Sequence, residues 1–237
     1  MKRILFLISL LASAMAFASG DIPLDKAPTN LSDHQSLQRG AKTFVNYCLS
    51  CHGAQAMRYN RLQDIGLTEQ QIKDNLIFTG AKVGDAMTNS MSKKDAMAAF
   101  GAAPPDLSVI SRSRGADWLY TYLRGFYRDE TRPTGWNNVV FDKVGMPHVL
   151  YEFQGEQVLH VEKHGGHETQ KLVLSKPGKM TAAEYDSMVA DLVNYLDYMG
   201  EPMKVTRMKL GVIVLLFLSV FFVLAYYLKK EFWKDIH

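Results

Sequence analysis

Only two cysteines occur in 237 residues, which excludes a disulfide framework and, with no third cysteine, a four-cysteine zinc site. Internal repeats and low-complexity tracts are absent, so neither a solenoid nor an extended biased tail is expected. Charge is missing altogether from residues 4–17 and 210–228. Over the whole chain 27 Lys+Arg stand against 24 Asp+Glu, too small a basic excess to expect a nucleic-acid partner.

The two uncharged runs lie outside any globular core. Lys2 and Arg3 precede the first, and Ala16-Phe17-Ala18 places small residues at cleavage spacing. This predicts a secretory signal peptide over 1–18; a retained anchor would need a longer apolar run. The second run would cover roughly 28 Å as a helix, close to the thickness of bilayer hydrocarbon. Tyr226, Tyr227 and Trp233 sit where an aromatic belt belongs, and Lys229, Lys230 and Lys234 follow the span. A transmembrane anchor over 207–228 with a cytoplasmic tail at 229–237 follows from the basic flank. Residues 19–206 then form one exported domain, mildly acidic once the basic ends are set apart. A basic soluble protein is a plausible partner for such a surface.

Both cysteines fall in Cys48-Leu49-Ser50-Cys51-His52. Two thiols three positions apart on a turn can reach both vinyl groups of one porphyrin, and the following His52 then lies under the iron. A redox Cys-x-x-Cys would want a strand before it, whereas Leu37, Gly40, Phe44 and Tyr47 recur at helical spacing. One covalent haem is the expected cofactor. For the sixth ligand the chain offers 12 Met and 7 His. Met146, in Val144-Gly145-Met146-Pro147, sits on a rigid extended strap, and His148 two residues on is the competing ligand. A Met/His pair raises the potential of haem iron.

The rest reads as mostly α with long loops. A helix is predicted over 37–47 with Ser36 as a possible cap, another over 117–128, and a last one capped by Thr181 and Glu184 with an apolar stripe from Tyr185 to Met199. Gly40 and Phe44 on the first helix and Tyr195 on the last suggest a close crossing. Residues 154–174 alternate and break at Gly165-Gly166, which predicts a small β-hairpin. His160, His164 and His167, with Glu162 and Glu168, are read as solvated hairpin residues rather than a metal site.

In order along the chain, the haem motif is followed by Met57-Arg58-Tyr59-Asn60, Thr79-Gly80-Ala81-Lys82-Val83-Gly84-Asp85, Ala103-Pro104-Pro105-Asp106-Leu107-Ser108, Arg132-Pro133-Thr134-Gly135, Gly145-Met146-Pro147 and a C-terminal span. This succession resembles cytochrome c1, the haem c subunit of the bacterial quinol:cytochrome c reductase. The resemblance implies a c-type cytochrome haem domain carrying one covalently bound haem c at Cys48 and Cys51, with His52 and Met146 as axial ligands. It implies Arg114 near a haem propionate and Pro105 and Ile110 in the haem pocket. Trp118 falls near a position where many relatives carry tyrosine. Relatives often hold an extra disulfide, for which this chain has no cysteines left.

The implied role is a one-electron carrier between the Rieske iron-sulfur protein and a cytochrome c, beside a cytochrome b subunit. Quinol oxidation would belong to the neighbouring subunits. A haem sensor or peroxidase would instead need an exchangeable sixth site with an acid/base group, for which His148 is the nearby candidate. A purely structural subunit would leave Cys48, Cys51 and His52 without a role.

Overall fold

The structure, a computed structural model, describes residues 23–89, 91–164 and 167–235, with the side chains of 163–169 left aside. The signal-peptide segment 1–18 lies outside these residues. Helix α1 (His34–Tyr47) begins at Asp33, whose carboxylate accepts from the Ser36 backbone N–H at 3.0 Å. The cap is therefore Asp33 and not Ser36: Asp33 offers a carboxylate to the unpaired N–H groups of the first turn, while Ser36 is buried and its hydroxyl accepts from Asn194 Nδ2 at 3.0 Å.

Antiparallel ladders and short helices fill the middle of the chain. Strand β1 (Ala54–Arg58) leads into a 3-10 turn (Tyr59–Ile65) and α2 (Glu69–Leu76), then pairs with β2 (Ala86–Met87). Helices α3 (Lys93–Phe100), α4 (Ile110–Arg114) and α5 (Ala116–Arg124) follow, then the ladder of β3 (Phe126–Arg128) with β4 (Trp136–Asn138). The helix expected over 117–128 thus stops four residues early. A Cβ at Gly125 would lie 2.8 Å from Val139 Cγ2, and that close approach of β4's exit lets the chain turn out of the helix and pair Phe126 with Asn138.

The hairpin forms where alternation predicts it and is longer. After the short helix α6 (Tyr151–Gln154), β5 (Gly155–His164) pairs with β6 (His167–Pro177), with a register shift between Glu156 and Gln157. His160 is exposed on it.

Helix α7 (Ala182–Gly200) carries the capping box read from the sequence: Thr181 and Glu184 satisfy each other's backbone N–H groups. It crosses α1 at Gly40, where an added Cβ would lie 2.7 Å from Tyr195 Cβ and overlap the Asp191 backbone. Only glycine lets the helices meet this closely. Arg39 then forms a bidentate pair with Asp191 (Nε–Oδ2 2.6 Å, Nη2–Oδ1 3.0 Å). Asn194 bonds the backbone of Asn30 in both directions at 2.9 Å, so the polar groups at this buried junction are paired.

After Glu201 the chain enters α8 (Lys204–Phe232), a helix long and apolar enough to cross a membrane. Its side chains from Leu210 to Leu228 are exposed. It runs past both ends of the predicted 207–228 span; at its start Lys204 pairs with Asp197 at 3.0 Å and Arg207 with Glu201, which joins the first turn to the end of α7.

Candidate functional site

Helix α1 ends where the cysteine motif begins. Cys48 N–H and Leu49 N–H both donate to the Phe44 carbonyl (2.9 and 3.0 Å), and Cys51 N–H and His52 N–H to the Cys48 carbonyl (3.1 and 2.8 Å). These bonds wind the five residues into one turn. Asn89 donates to the Cys51 carbonyl and holds the turn from outside.

His52 Nδ1 lies 2.8 Å from the Pro105 carbonyl. A carbonyl only accepts, so the proton sits on Nδ1 and Nε2 keeps its lone pair. Burial lowers the pKa of His52 more than Pro105 and Asp106 raise it, leaving a neutral imidazole suited to a metal. The segment supplying that carbonyl is clamped to the motif's exit. Leu107 N–H donates to the Gly53 carbonyl at 2.8 Å, Asp106 Oδ2 accepts from Gln55 N–H at 2.8 Å, and Ser108 Oγ accepts from Ala56 N–H at 2.9 Å. The Pro-Pro-Asp-Leu-Ser block therefore orients His52 through backbone, carboxylate and hydroxyl bonds.

Burial, with a smaller contribution from Cys51, pushes the Cys48 thiol up to about 12. A thiol held so far above its ordinary value yields little thiolate, so Cys48 does not suit the attacking role of a redox motif.

Met146 reaches the same place from the far side. Its strap hangs from Asn137, which is 4% exposed and whose Oδ1 accepts from Lys143 N–H at 2.9 Å; Arg132 donates to the Lys143 carbonyl at 3.1 Å. Tyr122 on α5 donates its hydroxyl to Met146 Sδ at 3.4 Å.

A cavity of about 430 Å³ joins these pieces, within the range of cofactor pockets. Cys48, Cys51, His52, Pro105, Ile110, Arg114 and Met146 all line it, closed below by Leu192 and Leu196 of α7. The Arg114 guanidinium lies over Trp118 (5.1 Å to the ring centroid) and Phe141 (5.9 Å); among the described residues no carboxylate pairs with it. His148 is not in the lining. It is 3% exposed, stacks on Phe126 at 4.8 Å and meets Trp136 edge-on at 5.0 Å, and burial lowers its pKa to about 4. The donor set suits a covalently held haem: paired thiols on one turn, a neutral imidazole with Nε2 free, a thioether in the same apolar cavity, and a guanidinium with no carboxylate partner among the described residues.

Sequence reading missed Tyr122, unremarked within the helix predicted over 117–128, and Asn137, a buried asparagine on the short strand β4. A hydroxyl on the buried face of a helix beside the cavity-lining arginine was the available signal for the first. Nothing local marked the second.

Known proteins resemble the chain from end to end. The model of the Cytochrome C1 family matches residues 25–236. The chain is 56% identical over 238 residues to a protein of Nitrosomonas europaea named ammonia monooxygenase gamma subunit, covering all of this chain and 99% of that one. It is 50% identical over 242 residues to cytochrome c1 of Allochromatium vinosum, with the same coverage. The mitochondrial cytochrome c1 haem protein of Neurospora crassa is 30% identical over 257 residues, which cover 94% of this chain and 70% of that protein.

Proposed function

The chain belongs to the cytochrome c1 family, whose members carry one covalently bound haem c and serve as electron carriers in the bc1 complex, and from that premise we propose the residues and partners through which it works. Cys48 and Cys51 form the two thioether links. His52 Nε2 and Met146 Sδ would ligate the iron, and Arg114 would pair with a propionate. Haem c supplies one-electron exchange at its iron. The cavity lining would exclude water and hold both ligands in place. The electron comes from the Rieske protein and leaves to a cytochrome c, with cytochrome b as the neighbouring subunit. The observation that carries this reading is the shared cavity, which brings Met146 to a motif about a hundred residues upstream.

Acid-acetone treatment of the denatured full chain tests the attachment. One haem per chain should stay with the protein, and extraction of the colour into the organic phase overturns it. The monooxygenase name belongs to the Nitrosomonas relative; isolation of this chain from its own membranes separates the two partner sets. A b-type cytochrome and an iron-sulfur protein should accompany it, and a monooxygenase in their place would sink the bc1 assignment.

The haem domain lies on the outer side of the inner membrane, held by α8, with the tail inside. Lys229, Lys230 and Lys234 support this orientation. Protease added to the outer face of the membrane should digest the haem domain and spare a small C-terminal fragment. A protected haem domain reverses the topology.

A further inference from the structure

A methionine has three rotatable side-chain bonds, and the strap anchored by Asn137 and Arg132 fixes only its backbone. The thioether itself needs a second restraint. Tyr122 is the polar group that meets it, hydroxyl to Sδ at 3.4 Å. The phenol is itself rigidly placed. Trp118 stacks on it at 4.7 Å with the rings 11° apart, Phe126 meets it edge-on at 5.1 Å, and Asn138 Nδ2 donates to its carbonyl at 2.7 Å.

We propose that Tyr122 is a positioning residue for the Met146 ligand: its O–H occupies one sulfur lone pair and so aims the other at the iron while weakening it as a donor. This rests on the reading of Met146 as sixth ligand. A thioether has two lone pairs, and a proton donor on one withdraws density from the other. Ferric iron, the more electron-demanding state, loses more from a poorer donor than ferrous iron does. The hydroxyl therefore raises the potential while lengthening the odds against the ferric iron–sulfur bond.

The chain contains its own control. Tyr195 makes the same kind of bond to Met87 Sδ at 3.6 Å, but neither residue lines the cavity. Five variants of the haem-loaded full chain, Met146→Leu alone among them, test the proposal by redox titration and by the weak sulfur-to-iron band at the red end of the spectrum. Tyr122→Phe, which keeps both ring contacts, should keep the band and lower the potential. Tyr122→Leu, which also removes the ring, should lower the potential in the same direction. Tyr195→Phe should leave the potential in place. In a Met146→Leu background, Tyr122→Phe should have no further effect. An unchanged potential in Tyr122→Phe, or a shift that persists without Met146, overturns the proposal while the ligand reading stands. A band that survives Met146→Leu overturns both.

Discussion

Met146→Leu is expected to abolish the sulfur-to-iron band, drop the reduction potential further than any other single change in the cavity, and let carbon monoxide bind. Leucine keeps the apolar volume, so folding should change little; the loss is of a ligand atom. A thioether favours ferrous iron, and removing it removes that preference. A filled sixth position also keeps small ligands out, so the native protein should pass electrons without binding carbon monoxide or peroxide. His148→Ala is the matched test of the competing residue. With His148 stacked on Phe126, edge-on to Trp136 and outside the cavity, the variant should lose about 1–3 kcal/mol of stability from its aromatic contacts and leave the band and potential alone. If wild-type protein binds carbon monoxide readily, or if only the His148 variant alters coordination, Met146 is not the ligand and a sensor becomes the better reading.

The split between these two residues shows what local sequence carries and what it cannot. Cys48 to His52 was legible because attachment chemistry demands fixed spacing within one turn. The last helix was legible because Thr181 and Glu184 form a cap over four residues and the stripe from Tyr185 to Met199 repeats at helical period. The end of α5 was not, since Phe126 fits the helical stripe as well as it fits β3; the arbiter is the contact of Gly125 with Val139, which comes from the returning strand. Asp33 took the cap from Ser36 because Ser36 had a buried partner in Asn194, 158 residues away. The support of His52 was hidden for another reason. A backbone carbonyl belongs to every residue, so no side-chain pattern announces that Pro105 will supply this one.

Gly40→Ala should destabilise the domain, and the sign of that effect is the test. In an exposed helix the same change stabilises by about 0.8–1 kcal/mol, because alanine is the better helix former. Here the new methyl meets Tyr195 Cβ and the Asp191 backbone, and a backbone within a packed helix cannot step aside as a long side chain can. Helices α1 and α7 must part. That loosens the buried packing of Leu37, Phe44 and Tyr195, each 0% exposed, and strains the Arg39–Asp191 pair that bridges the same crossing. Overpacking of this kind costs about 1–3 kcal/mol, enough to outweigh the helix gain and lower the midpoint of thermal unfolding by several degrees. The disturbance should also reach the cavity. The cysteine turn hangs from the Phe44 carbonyl at the end of α1, while Leu192 and Leu196 of α7 form the cavity floor, so parting the helices moves the attachment turn relative to that floor. A lowered melting temperature together with partial carbon monoxide binding is the expected pair of results. An unchanged or raised melting temperature would mean that the helices have room for a methyl group, and that the crossing at Gly40 does not set the position of the haem turn.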